Sequence, residues 1–110
     1  MQVGISQLIM RDTPLPEFLQ QAAATNYEVV ELCMTADGAL TPQTSDAELG
    51  TLREQVRAAG LRAVSMTHSH CPGNLLDSGE AQETSIEQTR AGLRAAAKLG
   101  IGCTLHTLGK

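Results

Sequence analysis

A chain of 110 residues is long enough for one hydrophobic core and too short for two, so a single domain over 1–110 is expected. Hydrophobic residues make up 42% of it and charged residues 18%, which excludes the polar, highly charged signature of a disordered chain. The net charge of −4 comes without a basic run, so the electrostatic footprint of phosphate-backbone binding is missing and nucleic acid is not expected as a partner.

Val3 to Ser6 is a short apolar run bounded by polar residues, as expected of a first strand. From Pro14 the positions Leu15, Phe18, Leu19, Ala22 and Ala23 fall at helical spacing, with Pro14 and Pro16 where a first turn tolerates missing amide donors; this helix is expected to end near Asn26. Glu28 to Met34 is β-branched and continuous enough for a buried parallel strand. Ser45-Asp46-Ala47-Glu48 is a capping box, Leu49, Leu52, Val56 and Ala59 continue its stripe, and Gly60 supplies the stop. Leu61 to Met66 makes a third strand, and Thr67 to Asn74 reads as a polar loop. Asp77 and Glu80 form a second cap before a helix whose stripe takes in Ile86, Leu93, Ala96 and Ala97, with Lys98 near its negative end and Gly100 as stop. Ile101 to Leu105 is the fourth strand.

An Ala-rich helix, a stop at Asn26, Gly60 or Gly100, and a short apolar strand thus recur at intervals of 34 and 40 residues, the spacing of β/α units. Strands alternating with helices imply a parallel sheet with right-handed crossovers, an open sheet or a barrel. No segment approaches the ~18 apolar residues of a membrane span and the N-terminus lacks a signal-peptide pattern, so no membrane partner and a cytoplasmic location are expected. Cys33, Cys71 and Cys103 are odd in number and contain no C-x-x-C pair, which points to reduced thiols. Cys33 and Cys103 read as small core residues, Cys71 as a loop thiol, and the methionines as packing.

Ligands of β/α proteins bind at the carboxyl ends of the strands. Strand two carries Glu31 inside an apolar run, strand three leads into His68 and His70, and strand four into His106. All three histidines therefore belong at one end of one sheet. A carboxylate beside imidazoles suits divalent-metal binding or proton transfer next to a carbonyl. The plain reading of Glu31 is an ion pair or a cap, and that of His70 is a surface residue. His68 and His106 fare better as a pair, because each directly follows an apolar strand.

Tyr27-Glu28-Val29-Val30-Glu31-Leu32 after an Ala-rich helix, the capped helix from Ser45, the strand leading to His68 and the ending Leu105-His106 resemble, in order and spacing, the opening half of the sugar phosphate isomerase/epimerase family. This is the xylose isomerase-like TIM barrel superfamily. The resemblance implies an α/β fold, a partial TIM (β/α) barrel with about four parallel strands and three helices. It implies metal-assisted aldose–ketose isomerisation or epimerisation of a small carbohydrate or sugar phosphate, with zinc, manganese or magnesium as the divalent ion. By matching position, Glu31 and His68 would bind substrate. In the apurinic-site endonuclease branch the corresponding histidines are zinc ligands, which makes His68 and His106 metal candidates.

A complete barrel needs roughly 200 residues or more. The first expectation is therefore a truncated isomerase/epimerase-like protein, inactive alone because the family's base and main metal ligands lie on later strands. The alternatives are a self-associating half barrel acting as a binding or structural module, a fragment of an apurinic-site endonuclease-like zinc enzyme, and, last, a small open-sheet domain without a G-x-G-x-x-G or phosphate-loop signature. A homo-oligomer is expected on the half-barrel reading.

Overall fold

The computed structural model describes residues 1–70 and 75–107, the side chains of residues 69 and 70 excepted. Four strands and three α-helices alternate: β1 (Gly4–Ser6), a 3-10 turn (Gln7–Met10), α1 (Leu15–Ala24), β2 (Val29–Thr35), α2 (Asp46–Ala58), β3 (Arg62–His70), α3 (Gly79–Leu99) and β4 (Cys103–His106). All pairings are parallel and the strand order is β1-β2-β3-β4, the curl of a partial barrel. Chain order and spatial order coincide because each crossover helix returns the chain to the next position on the same side.

The three stops expected from the sequence share one geometry. Asn26, Gly60 and Gly100 have φ of 65°, 77° and 73°, in the left-handed region that Asn and Gly tolerate best. In each, the stop amide and the next amide reach back to the last helical turn: Asn26 to Ala23 and Tyr27 to Ala22, Gly60 to Arg57 and Leu61 to Val56, Gly100 to Ala97 and Ile101 to Ala96. This is the Schellman motif, and it turns each helix into the next strand. At the other end of α2 the Ser45–Glu48 capping box is complete, each side chain accepting from the other residue's backbone amide.

The core lies between the sheet and the helices. Val30, Leu32, Met34 and Met66 point outward from the sheet into Leu15, Phe18, Leu19, Leu49, Leu52 and Val56. Burial of each large side chain in this layer is worth about 1.5–3 kcal/mol. Residues one position away on the strands face the opposite side, the concave face of the curl.

Four expectations need correction. Thr67 to His70, expected as loop, continue β3: Cys33 pairs with Thr67, Thr35 with His70, and His68 with His106. β2 and, as far as His68, β4 pair with the backbone there, which outweighs the polar side chains. The rest of that expected loop, Cys71 to Asn74, lies outside the described residues. Asp77 does not cap α3; Ser78 holds the cap position without a side-chain cap bond, and Gly79 opens the helix at φ 63°. The buried face of α3 is Ser85, Gly92, Ala95, Ala96 and Leu99, whereas Ile86 and Leu93 are exposed. Small residues, not the largest apolar ones, mark this face because α3 approaches the sheet closely at Gly92. Cys103, finally, is exposed on an edge strand, while Cys33 is buried.

Candidate functional site

On the concave face one row runs across the sheet, Ser6 paired with Glu31, Glu31 with Ser65, and Ser65 with Cys103. Ser6 Oγ donates to Glu31 Oε1 at 2.7 Å and Ser65 Oγ donates to Oε2 at 2.8 Å, so the carboxylate ties three strands together. Burial alone would raise the Glu31 carboxyl, and the hydroxyls of Ser6, Ser65 and Thr67 outweigh it, so that it is held below its ordinary value. Thr67 acts by proximity without completing a hydrogen bond: its Oγ1 is buried and unpaired. Glu31 is therefore an anion with an acceptor oxygen on each side already engaged.

One row nearer the carboxyl ends stand Cys33 and Thr67. The Cys33 amide donates to Gln7 Oε1 at 2.8 Å, which brings the turn after β1 over the end of β2. Burial raises the Cys33 thiol, Glu31 raises it further and Arg11 opposes, so it stays protonated at neutral pH. Gln7, Arg11, Thr13, Cys33 and Thr35 line a cavity of about 400 Å³ between the ends of β1 and β2. That volume is within the range of small-molecule sites. Gln7 and Arg11 were not anticipated from the sequence, although they open and close the turn that follows the first strand, which is the signal that would have found them.

His68 and His106 occupy the other side of the sheet. His68 continues the outward alternation of Met66, and its ring rests against α3, where a Cβ added at Gly92 would lie 3.2 Å from Nδ1. His106 lies beside it: the two Nδ1 atoms are 3.0 Å apart, the rings meet edge-on, and His106 Nε2 is 3.0 Å from Thr104 Oγ1. One Nδ1 donates and the other accepts. Burial lowers both imidazoles, and for His68 the neighbouring His106 lowers it further. The sequence expectation that His68 and His106 come together is thus met by the geometry, whereas Glu31 and His68 stand on opposite faces. The side chain of His70 and all of Cys71 lie outside the described residues.

These donors do not make a divalent-ion site by themselves. The paired Nδ1 atoms use their lone pair and proton on each other, the only carboxylate of the row is across the sheet, and no group of three or more His, Cys, Asp or Glu side chains converges among the described residues. Among the described residues no helix is long and apolar enough to cross a membrane.

No protein-family model matches the sequence, and no curated protein matches it. Solved structures do match. The structure of D-psicose 3-epimerase determined in the presence of D-fructose aligns with a TM-score of 0.72 over 98% of this chain and 37% of its own length, at 20% sequence identity. The structure of a sugar phosphate isomerase/epimerase from Parabacteroides distasonis aligns with a TM-score of 0.61 over 99% of this chain and 42% of its own, at 13% identity. The chain spans less than half of each of these structures. At such identities the likeness is one of fold, and it agrees with the fold that the sequence resemblance implies: the chain has the fold of part of a TIM barrel.

Proposed function

We propose that this chain supplies one wall of a sugar-binding pocket in an isomerase or epimerase of the β/α-barrel kind. The observation that carries the reading is the cavity at the carboxyl ends of β1 and β2, on a fold shared with an epimerase structure determined with D-fructose. Ligands of such folds bind at that end. Gln7, Thr13 and Thr35 offer amide and hydroxyl groups to a polyol, and Arg11 a guanidinium to a carbonyl or phosphate oxygen. Glu31 lies one row deeper. With both oxygens engaged by serines and its carboxyl held acidic, it suits fixing the strands and accepting a bond from a sugar hydroxyl better than removing a carbon-bound proton.

The chain alone is expected to be inactive. Proton transfer between neighbouring carbons needs a base at the reacting carbon and a donor or ion on the developing oxyanion, contributions of roughly 10²-fold or more apiece. A divalent ion implied by the sequence resemblance would draw carboxylates from further strands. The test is an assay of the purified chain with ketoses, ketose phosphates and divalent metals, beside the Glu31→Gln variant. No turnover is expected from either; turnover that disappears in the variant would show that this wall is sufficient and that Glu31 is a base.

A further inference from the structure

We propose that the cavity at the ends of β1 and β2 takes a sugar acid, a polyol that carries one carboxylate, with the carboxylate on Arg11 and the hydroxyls toward Glu31. The proposal deepens the sugar-pocket reading and rests on it, naming the chemical class of the ligand.

Bonds made inside the chain have already turned the polar side chains of this cavity into donors. Gln7 uses its amide oxygen on the Cys33 amide at 2.8 Å, so its Nε2 group is the end left to meet a ligand. Thr35 Oγ1 accepts from the Gly38 amide at 2.8 Å, which leaves the hydroxyl hydrogen to donate. Glycine is required for that bond, since a Cβ at position 38 would collide with the Thr35 hydroxyl. Arg11 has donors alone. Donors from the ends of two strands thus border one cavity of about 400 Å³, and the ligand must bring acceptor oxygens to them. Each of these bonds lies within β1, β2 and the turns that follow them, so the donor character of the cavity holds whatever else borders it.

Charge decides which acceptor is suited. Arg11 and Asp12 are the charged residues of the lining and Glu31 lies one row deeper, so one guanidinium is set against two carboxylates. The Cys33 thiol, which also lines the cavity, is raised by Glu31 and lowered by Arg11, so both charges act on it from close by. A phosphate dianion would meet a single cation and the repulsion of both carboxylates. A carboxylate brings one charge and a planar pair of oxygens that matches the guanidinium fork. Arg11 has no ion pair among the described residues, so none of them holds that fork. The other end of the ligand meets the opposite chemistry, because the ionised Glu31 accepts from hydroxyls. A neutral ketose would suit Glu31 and offer the guanidinium only an uncharged acceptor.

The test compares three ketoses that differ only at the first carbon: D-fructose with a hydroxymethyl group, 2-keto-D-gluconate with a carboxylate and D-fructose 1-phosphate with a phosphate. Each is titrated into the isotopically labelled chain and into its Arg11→Gln variant, followed by amide NMR shifts, with far-UV circular dichroism to verify folding. The acid is expected to bind the wild-type chain about tenfold or more tighter than D-fructose, the size of one charge-assisted bond, and tighter than the phosphate. In Arg11→Gln the acid should lose that advantage while D-fructose keeps its affinity within about twofold. Arg11→Lys, which keeps the charge without the fork, should reduce the advantage severalfold, and it replaces the glutamine variant if that one fails to fold. Equal affinities for the acid and D-fructose, tightest binding by the phosphate, or an advantage unchanged by substitution of Arg11 would overturn the proposal and leave the sugar-pocket reading standing. Failure of all three to bind would remove both.

Discussion

Glu31 is the residue whose environment most constrains what it can do. Two serine hydroxyls from neighbouring strands reward its ionised form, so Glu31→Gln loses charge-assisted bonds and is expected to cost about 1 kcal/mol, the low end for such bonds because the carboxylate is half-exposed. Its folded carboxyl is more acidic than the unfolded one, so this contribution is present above the ordinary value of 4.5 and lost as pH falls through the lower folded value. Chemical denaturation of both proteins should show the difference at pH 7 and its disappearance at strongly acidic pH. The histidine pair adds a second dependence nearer neutrality. Both imidazoles titrate below 6.5 when folded, so the unfolded chain takes up protons first and stability declines as pH falls below about 6.5. Melting followed between pH 8 and 5 should show that decline, and it should be shallower in His106→Gln; a midpoint indifferent to pH in the wild-type chain would contradict the buried pair. Sequence reasoning could select these residues because each is a polar group in or directly after an apolar run. It could not place Glu31 and His68 on opposite faces: the register shifts between β2 and β3, with Val30 paired to Ala63 but Glu31 to Ser65, and a one-residue change in alternation exchanges the faces.

The elements were read most securely where one residue type answers one backbone need. Asn26, Gly60 and Gly100 each stand where φ is positive, and Ser45 with Glu48 forms the cap that its spacing requires. α3 was harder, because its sheet-facing side is made of small residues. Gly92 there admits the His68 ring, and helix propensity opposes it: alanine would favour the helix by roughly 0.5–1 kcal/mol. Gly92→Ala is therefore expected to destabilise the wild-type chain, as its Cβ presses on a buried ring at 3.2 Å, and to stabilise a His68→Ala chain in which that ring is gone. A double-mutant cycle from denaturant unfolding measures the coupling directly, and additive effects would mean that the two residues do not touch. The sequence pattern makes β3 too short for a related reason. Polarity marks Thr67 to His70 as loop in a one-dimensional pattern, but pairing with β2 and, as far as His68, with β4 keeps them in the sheet.

At the scale of the whole molecule, the order of strands and helices was legible throughout, because repetition of helix, stop and strand leaves few topologies. The pocket was legible only in its location at the carboxyl ends of the strands. Its lining by Gln7 and Arg11 depends on a 3-10 turn that carries no hydrophobic period, so only their place after the first strand points to them. In the proposed function this end of the sheet, between β1 and β2, receives a sugar. The most direct test is a titration of the isotopically labelled chain with D-fructose, up to tens of millimolar, followed by amide NMR shifts. The expected result is a saturable change confined to Gln7, Arg11, Thr13, Cys33 and Thr35, reduced when Gln7 is replaced by alanine. Amide shifts that stay still throughout, or that move only on the outer surfaces of α2 and α3, would contradict it.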